Sequence, residues 1–151
     1  MALEMNGEYD LPTDRQTVWK ALNDEDMLRK CIPGCESLEK LSDTQFQAVV
    51  KLTIGPVSAR FKGKVTLTDL DPPNGYKIVG EGEGGVAGFA KGNAAVTLSD
   101  IDGGTRLSYS AEAQTGGKLA QLGQRLIAGS AKKTADKFFA SFVSELTGAP
   151  A

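Results

Sequence analysis

The groups in this chain best suited to covalent or acid–base chemistry are few, and their spacing limits what they can do. Cys31 and Cys35 stand on either side of Ile32-Pro33-Gly34. Two thiols across a turn fall short of the four ligands that a structural zinc site takes. They read first as two small core residues flanking a turn, with a redox pair or a reactive thiol as the alternative. Histidine is absent, which removes the Ser-His-Asp and Cys-His arrangements, the imidazole general base and every imidazole metal site. Glu81 and Glu83 are two apart and imitate an acid/base pair. Residues two apart on a strand share a face, however, and that face also carries Arg60, Lys62, Lys64, Lys77 and Lys91. A solvated face accounts for all of them.

Two glycine motifs suggest a nucleotide. Gly80-Glu81-Gly82-Glu83-Gly84-Gly85 satisfies G-x-G-x-x-G, but that motif works where it opens a helix whose N-terminus meets a pyrophosphate. Here residues 89–98 continue as a strand, and two glutamates would repel phosphate. Gly117-Lys118 lacks the Walker spacing and the following Ser or Thr. A net charge of −2 and a pI near 5.2 leave no basic face to displace counterions from nucleic acid. No catalytic residue and no metal ligand set is assigned, and nucleic acid is not an expected partner.

What remains is a set of apolar side chains, and periodicity says which elements position them. Met5 to Leu11 alternates as a half-buried strand does, and Pro12 ends it. Thr13 is expected to cap a helix whose turns carry Val18, Trp19 and Leu22, with Met27 and Leu28 in a second helix after Asn23-Asp24. From Cys35 to Gln114 six strands are separated by turn signals at residues 41–44, 54–56, 71–75, 84–85 and 102–104. After Gly116-Gly117 the period becomes 3.6, and a stripe from Leu119 to Leu146 predicts one long helix ended by Gly148 and Pro150. Strand, two short helices, six strands and a long helix make an α+β domain, a curved antiparallel sheet covered by the last helix. With 151 residues the chain fits one domain, 1–151. Its apolar runs are far short of the roughly 20 residues that cross a bilayer. Residues 1–12 lack the apolar segment of a secretory signal, so a cytoplasmic location is expected.

The inward rows of the strands carry no charge, and their sizes are graded. Ala59, Gly80, Gly82, Gly92, Ala94 and Ala111 fall at one end of the sheet, with Phe61 in the same rows. Larger residues such as Leu67, Ile78 and Leu98 fill the other end. The helix stripe begins with Leu119, Leu122 and Leu126 and turns small at Ser130. Such surfaces either collapse together or enclose a void, and an apolar void takes an apolar, neutral ligand. Tyr109 and Ser130 are candidates for its polar contacts, and Val86 and Phe89 in the glycine-rich turn for its rim.

Three segments carry a family resemblance: residues 28–36 (LRKCIPGCE), residues 88–94 (GFAKGNA) and residues 117–123 (GKLAQLG). Together they closely resemble the G-subunit family of carbon monoxide dehydrogenase, within the START-like, helix-grip (SRPBCC) superfamily, over nearly the whole chain. The resemblance implies a cavity between sheet and long helix and no intrinsic cofactor. It also implies an accessory role beside a carbon monoxide dehydrogenase-type molybdenum enzyme, with membrane recruitment and carriage of a quinone or other lipid-like molecule. Some relatives continue past the long helix into a membrane-reaching extension, whereas this sequence stops at Ala151. Peripheral contact at the inner face of the cytoplasmic membrane is therefore expected, through Val86 and Phe89 with Lys91 and Lys118. The rival within the superfamily is a cyclase or hydratase, for which Tyr109, Cys31 and Cys35 are the candidate acid/base groups. A collapsed interaction module is a further alternative.

Overall fold

The computed structural model of the protein describes residues 2–147, the side chain of Ala2 excepted. Strand β1 (Ala2–Leu11) is followed by helices α1 (Arg15–Leu22) and α2 (Glu25–Cys31). Six strands come next: β2 (Cys35–Ser42), β3 (Gln45–Ile54), β4 (Val57–Asp71), β5 (Gly75–Glu83), β6 (Phe89–Ile101) and β7 (Gly104–Gly116). A 3-10 turn at Gly85–Ala87 joins β5 to β6, and helices α3 (Lys118–Gln121) and α4 (Gln124–Thr147) close the order.

Every strand pair is antiparallel, in the order β1-β7-β6-β5-β4-β3-β2. Helices α1 and α2 carry the chain from one edge of this sheet to the other. Asp14 caps α1, accepting from the Thr17 amide at 2.9 Å, so the cap lies one residue beyond the expected Thr13. Asp24 caps α2 in the same way at 3.1 Å. Buried Thr105 donates to the Thr13 carbonyl at 2.7 Å and fixes the chain between β1 and α1 to the start of β7.

One expectation is corrected. The C-terminal stripe is two helices rather than one, because the chain turns at Leu122-Gly123, where Gly123 has φ +89°. The helix stops expected at Gly148 and Pro150 lie outside the described residues.

The core is divided in two. Its larger cluster joins Leu11, Val18, Leu67, Leu98, Leu107 and Phe142 at the bulky end of the sheet, under the C-terminal half of α4. A smaller cluster of Phe61, Ala87 and Leu119 ties β4, the 3-10 turn and α3 together at the other end. Helix α4 comes closest to α2, β1 and β3, and so bridges the curved sheet from one side towards the other.

Candidate site between sheet and helix

Alternation places Ala59, Gly80, Gly82, Gly92, Ala94 and Ala111 on the concave face of β4 to β7, where register brings them side by side. Gly80 pairs with Gly92, Ile78 with Ala94, and Ala94 with Ala111. Ser130 sits half-buried on α4. Longer apolar side chains in this region are also only half-buried, among them Leu52, Ile54, Val57, Leu122 and Ile127. Leu52, Ile54, Val57 and Leu122 pack against the small cluster and keep residual exposure; close packing would seal side chains of that size, and this half-covered apolar surface is the candidate cleft. Leu126 is 43% exposed and leans over the turn between β3 and β4, where its Cδ2 lies 3.0 Å from where a Cβ on Gly55 would stand.

The other expected site residues fall into three places. Phe61 and Leu119 are buried in the small cluster, with the Phe61 ring against the α-carbon of Gly84, so they close the end of the cleft. Val86, on the 3-10 turn, is 85% exposed. Phe89, expected at the same rim, points to the opposite face of the sheet. β6 begins with it in register with Glu83 and Gly116, which are outward positions, and its ring lies across Gly116.

Tyr109 lies where the cleft meets the larger cluster, its ring laid over Gly7. It stacks at 6.2 Å on Tyr9, which stacks at 4.1 Å on Phe139 of α4. The Tyr9 hydroxyl donates to Asp136 Oδ1 at 2.7 Å, and Lys132 Nζ stands 3.6 Å from Asp136 Oδ2. Burial raises the Tyr9 pKa, and the Asp136 carboxylate and Tyr109 raise it further. Sequence reasoning passed over this pair. Tyr9 was legible as an inward position of β1, but Asp136 lies beside the apolar stripe of α4 rather than on it.

The thiols remain separate and free. Cys31 is buried, with its Sγ 3.7 Å from the Met27 sulfur; burial pushes its pKa up, Glu145 adds to this and Lys30 opposes it. Burial also pushes Cys35 up. Among the described residues no group of three or more Cys, Asp or Glu could hold a metal ion.

Two broad depressions, of about 550 and 460 Å³, lie on the outer face of the sheet rather than beneath α4. Their walls alternate in charge across the strands, Lys64 beside Glu81 beside Lys91, and Lys62 beside Glu83. Such cross-strand pairs are the usual surface of a solvated sheet face, and these walls do not suit an apolar ligand.

A family model for CoxG, the G-subunit of carbon monoxide dehydrogenase, matches residues 7–147. The chain belongs to the CoxG family. A conserved protein from Geobacillus kaustophilus is similar to this CoxG chain at 35% identity and a TM-score of 0.91, over 97% of this chain and 96% of that one. The ZhuI aromatase/cyclase from Streptomyces sp. R1128 superposes with a TM-score of 0.70 at 11% identity, over 97% and 94% of the two chains. For Ara h 8.0201 the TM-score is 0.68 at 16% identity, over 98% and 99%. At such identities these two neighbours establish the helix-grip fold of this CoxG chain and nothing further. No curated protein matches it. The family and the fold both agree with the sequence reading.

Proposed function

We propose that this CoxG protein is a non-catalytic carrier. It binds a neutral, lipid-like molecule, such as a quinone, between the sheet and α4, and serves beside a carbon monoxide dehydrogenase-type molybdenum enzyme. The observation that carries this reading is the group of half-buried apolar side chains around the small-residue end of the sheet. At the small-residue end the inward rows of β4 to β7 carry no charged side chain, so a charged ligand would be desolvated without a partner there, at a cost of several kcal/mol. Catalysis by the thiols is disfavoured because burial holds both in the protonated form.

The partnership and the membrane role rest on the family. Among the described residues no helix is long and apolar enough to cross a membrane. The 85% exposed Val86 beside the cleft, rather than Phe89, supports a peripheral encounter with a cytoplasmic membrane surface.

The test is native mass spectrometry with organic extraction of the protein purified from its own host. A neutral lipophile near one per chain, lost in Ala94→Phe, is the expected result. Ala94 is the position to fill, because a Cβ on Gly92 would stand 2.3 Å from the Glu112 carbonyl oxygen and disturb the sheet itself. An empty protein whose melting temperature no quinone shifts would sink the carrier reading.

A further inference from the structure

The two edges of the sheet are finished differently. At β2 the ladder slips between Cys35 and Ser37 and again between Lys40 and Ser42, the Lys40 amide donates to Glu25 Oε2 at 2.8 Å, and α2 packs alongside. Bulges, an edge lysine and a covering helix are devices that keep an edge strand from recruiting another. β1 carries no bulge, proline or lysine. It pairs with β7 through an unbroken register from Ala2↔Gln114 to Leu11↔Thr105, and among the described residues its backbone bonds to β7 alone. Helix α4 starts beside the β3–β4 turn, where Leu126 lies near Gly55, and its stacking and hydrogen bond with β1 fall on Tyr9, through Phe139 and Asp136. Alternate N–H and C=O groups of residues 3–7 therefore point away from β7 without a bonding partner among the described residues.

The side chains above and below that edge specify what can fill it. Glu4, Asn6, Glu8 and Asp10 form an exposed outward row, and Leu3, Met5, Gly7 and Tyr9 a half-buried inward one. Arg106 pairs with Asp10 at 2.9 Å, whereas Glu4, Glu8 and Glu112, the β7 neighbour of Glu4, are in no ion pair among the described residues. A second copy of β1, paired antiparallel, would set one acidic row against another, and like charges opposite one another are destabilising. A strand with lysine or arginine on one face and apolar residues on the other meets the acidic row and extends the half-buried one. We infer that the edge of β1 at residues 3–7 receives an extended segment of a partner protein that alternates basic and apolar residues, added to the sheet as a further strand. Backbone hydrogen bonds supply the attachment, and the acidic row supplies the selection.

The probe is a short blocked peptide alternating Lys and Val, followed by fluorescence anisotropy at low salt and by hydrogen exchange of the protein's amides. It is expected to bind and to slow exchange within residues 3–7. The same peptide with every backbone amide N-methylated keeps the charge and loses the donors of the ladder, and is expected to bind about ten-fold more weakly. A peptide alternating Glu and Val should also bind more weakly than the Lys-Val peptide, and in the Glu4→Lys, Glu8→Lys double variant, altered only at exposed positions, the preference between these two peptides should reverse. Equal binding of the N-methylated peptide would overturn the inference by reducing the contact to surface charge. So would protection confined to another part of the sheet, a preference that the double variant leaves unchanged, or no binding by any of the peptides. Dimerisation that protects residues 3–7 without peptide would make a second copy the occupant and overturn it too.

Discussion

Tyr76 is buried edge-on against Trp19, with ring centroids 5.2 Å apart, and burial alone pushes its phenol up to about 12. An unfolded chain releases that proton near pH 10. Below that value both states keep it, and the contribution to stability is complete. As pH rises from the unfolded to the folded pKa, only the unfolded chain loses its proton, so stability falls by about 2–3 kcal/mol. Urea unfolding followed from about pH 9 to about pH 12 should therefore show a steep loss in the wild type and a shallower one in Tyr76→Phe, which keeps the ring and lacks the proton. Tyr9, Cys31 and Cys35, whose pKa values are also raised, contribute to the slope that remains. Parallel losses in the two proteins would contradict this account. The inward direction of Tyr76 was legible because Tyr76, Ile78, Gly80 and Gly82 alternate without interruption. The Tyr9–Asp136 bond was not, since it joins residues 127 apart in sequence and neither position is unusual in its own element.

At the scale of elements, alternation and turn residues reported the strands well, since each hairpin is bounded by Gly, Pro, Asn or Asp that the backbone there requires. Periodicity failed at the C-terminal stripe for a physical reason. Helices α3 and α4 turn their apolar residues towards the same sheet, so the stripe continues while the backbone reverses for a single residue. Gly123 and Gly129 look alike in sequence and differ in this respect. Gly123 sits at φ +89° and Gly129 lies inside α4, and a Cβ at either would meet nothing within 4 Å. Thermal melts of two alanine variants should accordingly move in opposite directions. Gly129→Ala stabilises by about 0.5–1 kcal/mol through helix propensity, and Gly123→Ala destabilises by about 1–2 kcal/mol through left-handed strain. Stabilisation by both would mean that α3 and α4 merge into one helix without cost.

For the whole molecule, a core in two unequal parts implies two scales of opening. The large cluster draws on all seven strands and on α1, α2 and α4, so exposing it requires the fold to come apart. The small cluster depends on three buried side chains, Phe61, Ala87 and Leu119, holding the 3-10 turn and α3 over the end of the cleft. Few buried contacts and a short helix are the physical content of a low local stability. The gradient from small to large residues was visible in the strand rows, but the division was not, because it depends on the turn at Gly123 and on Ala87, which no periodicity marks. Hydrogen exchange should find the amides of residues 84–88 and 118–123 opening well before those of β7 at positions 105–109. An apolar ligand seated beneath α4 would add contacts to the elements that open first, so saturating para-nonylphenol should slow exchange in those two segments and leave the β7 amides at the global limit. Uniform protection across the sheet would instead mean that the clusters unfold as one unit, and that a ligand enters by some path other than the lifting of α3.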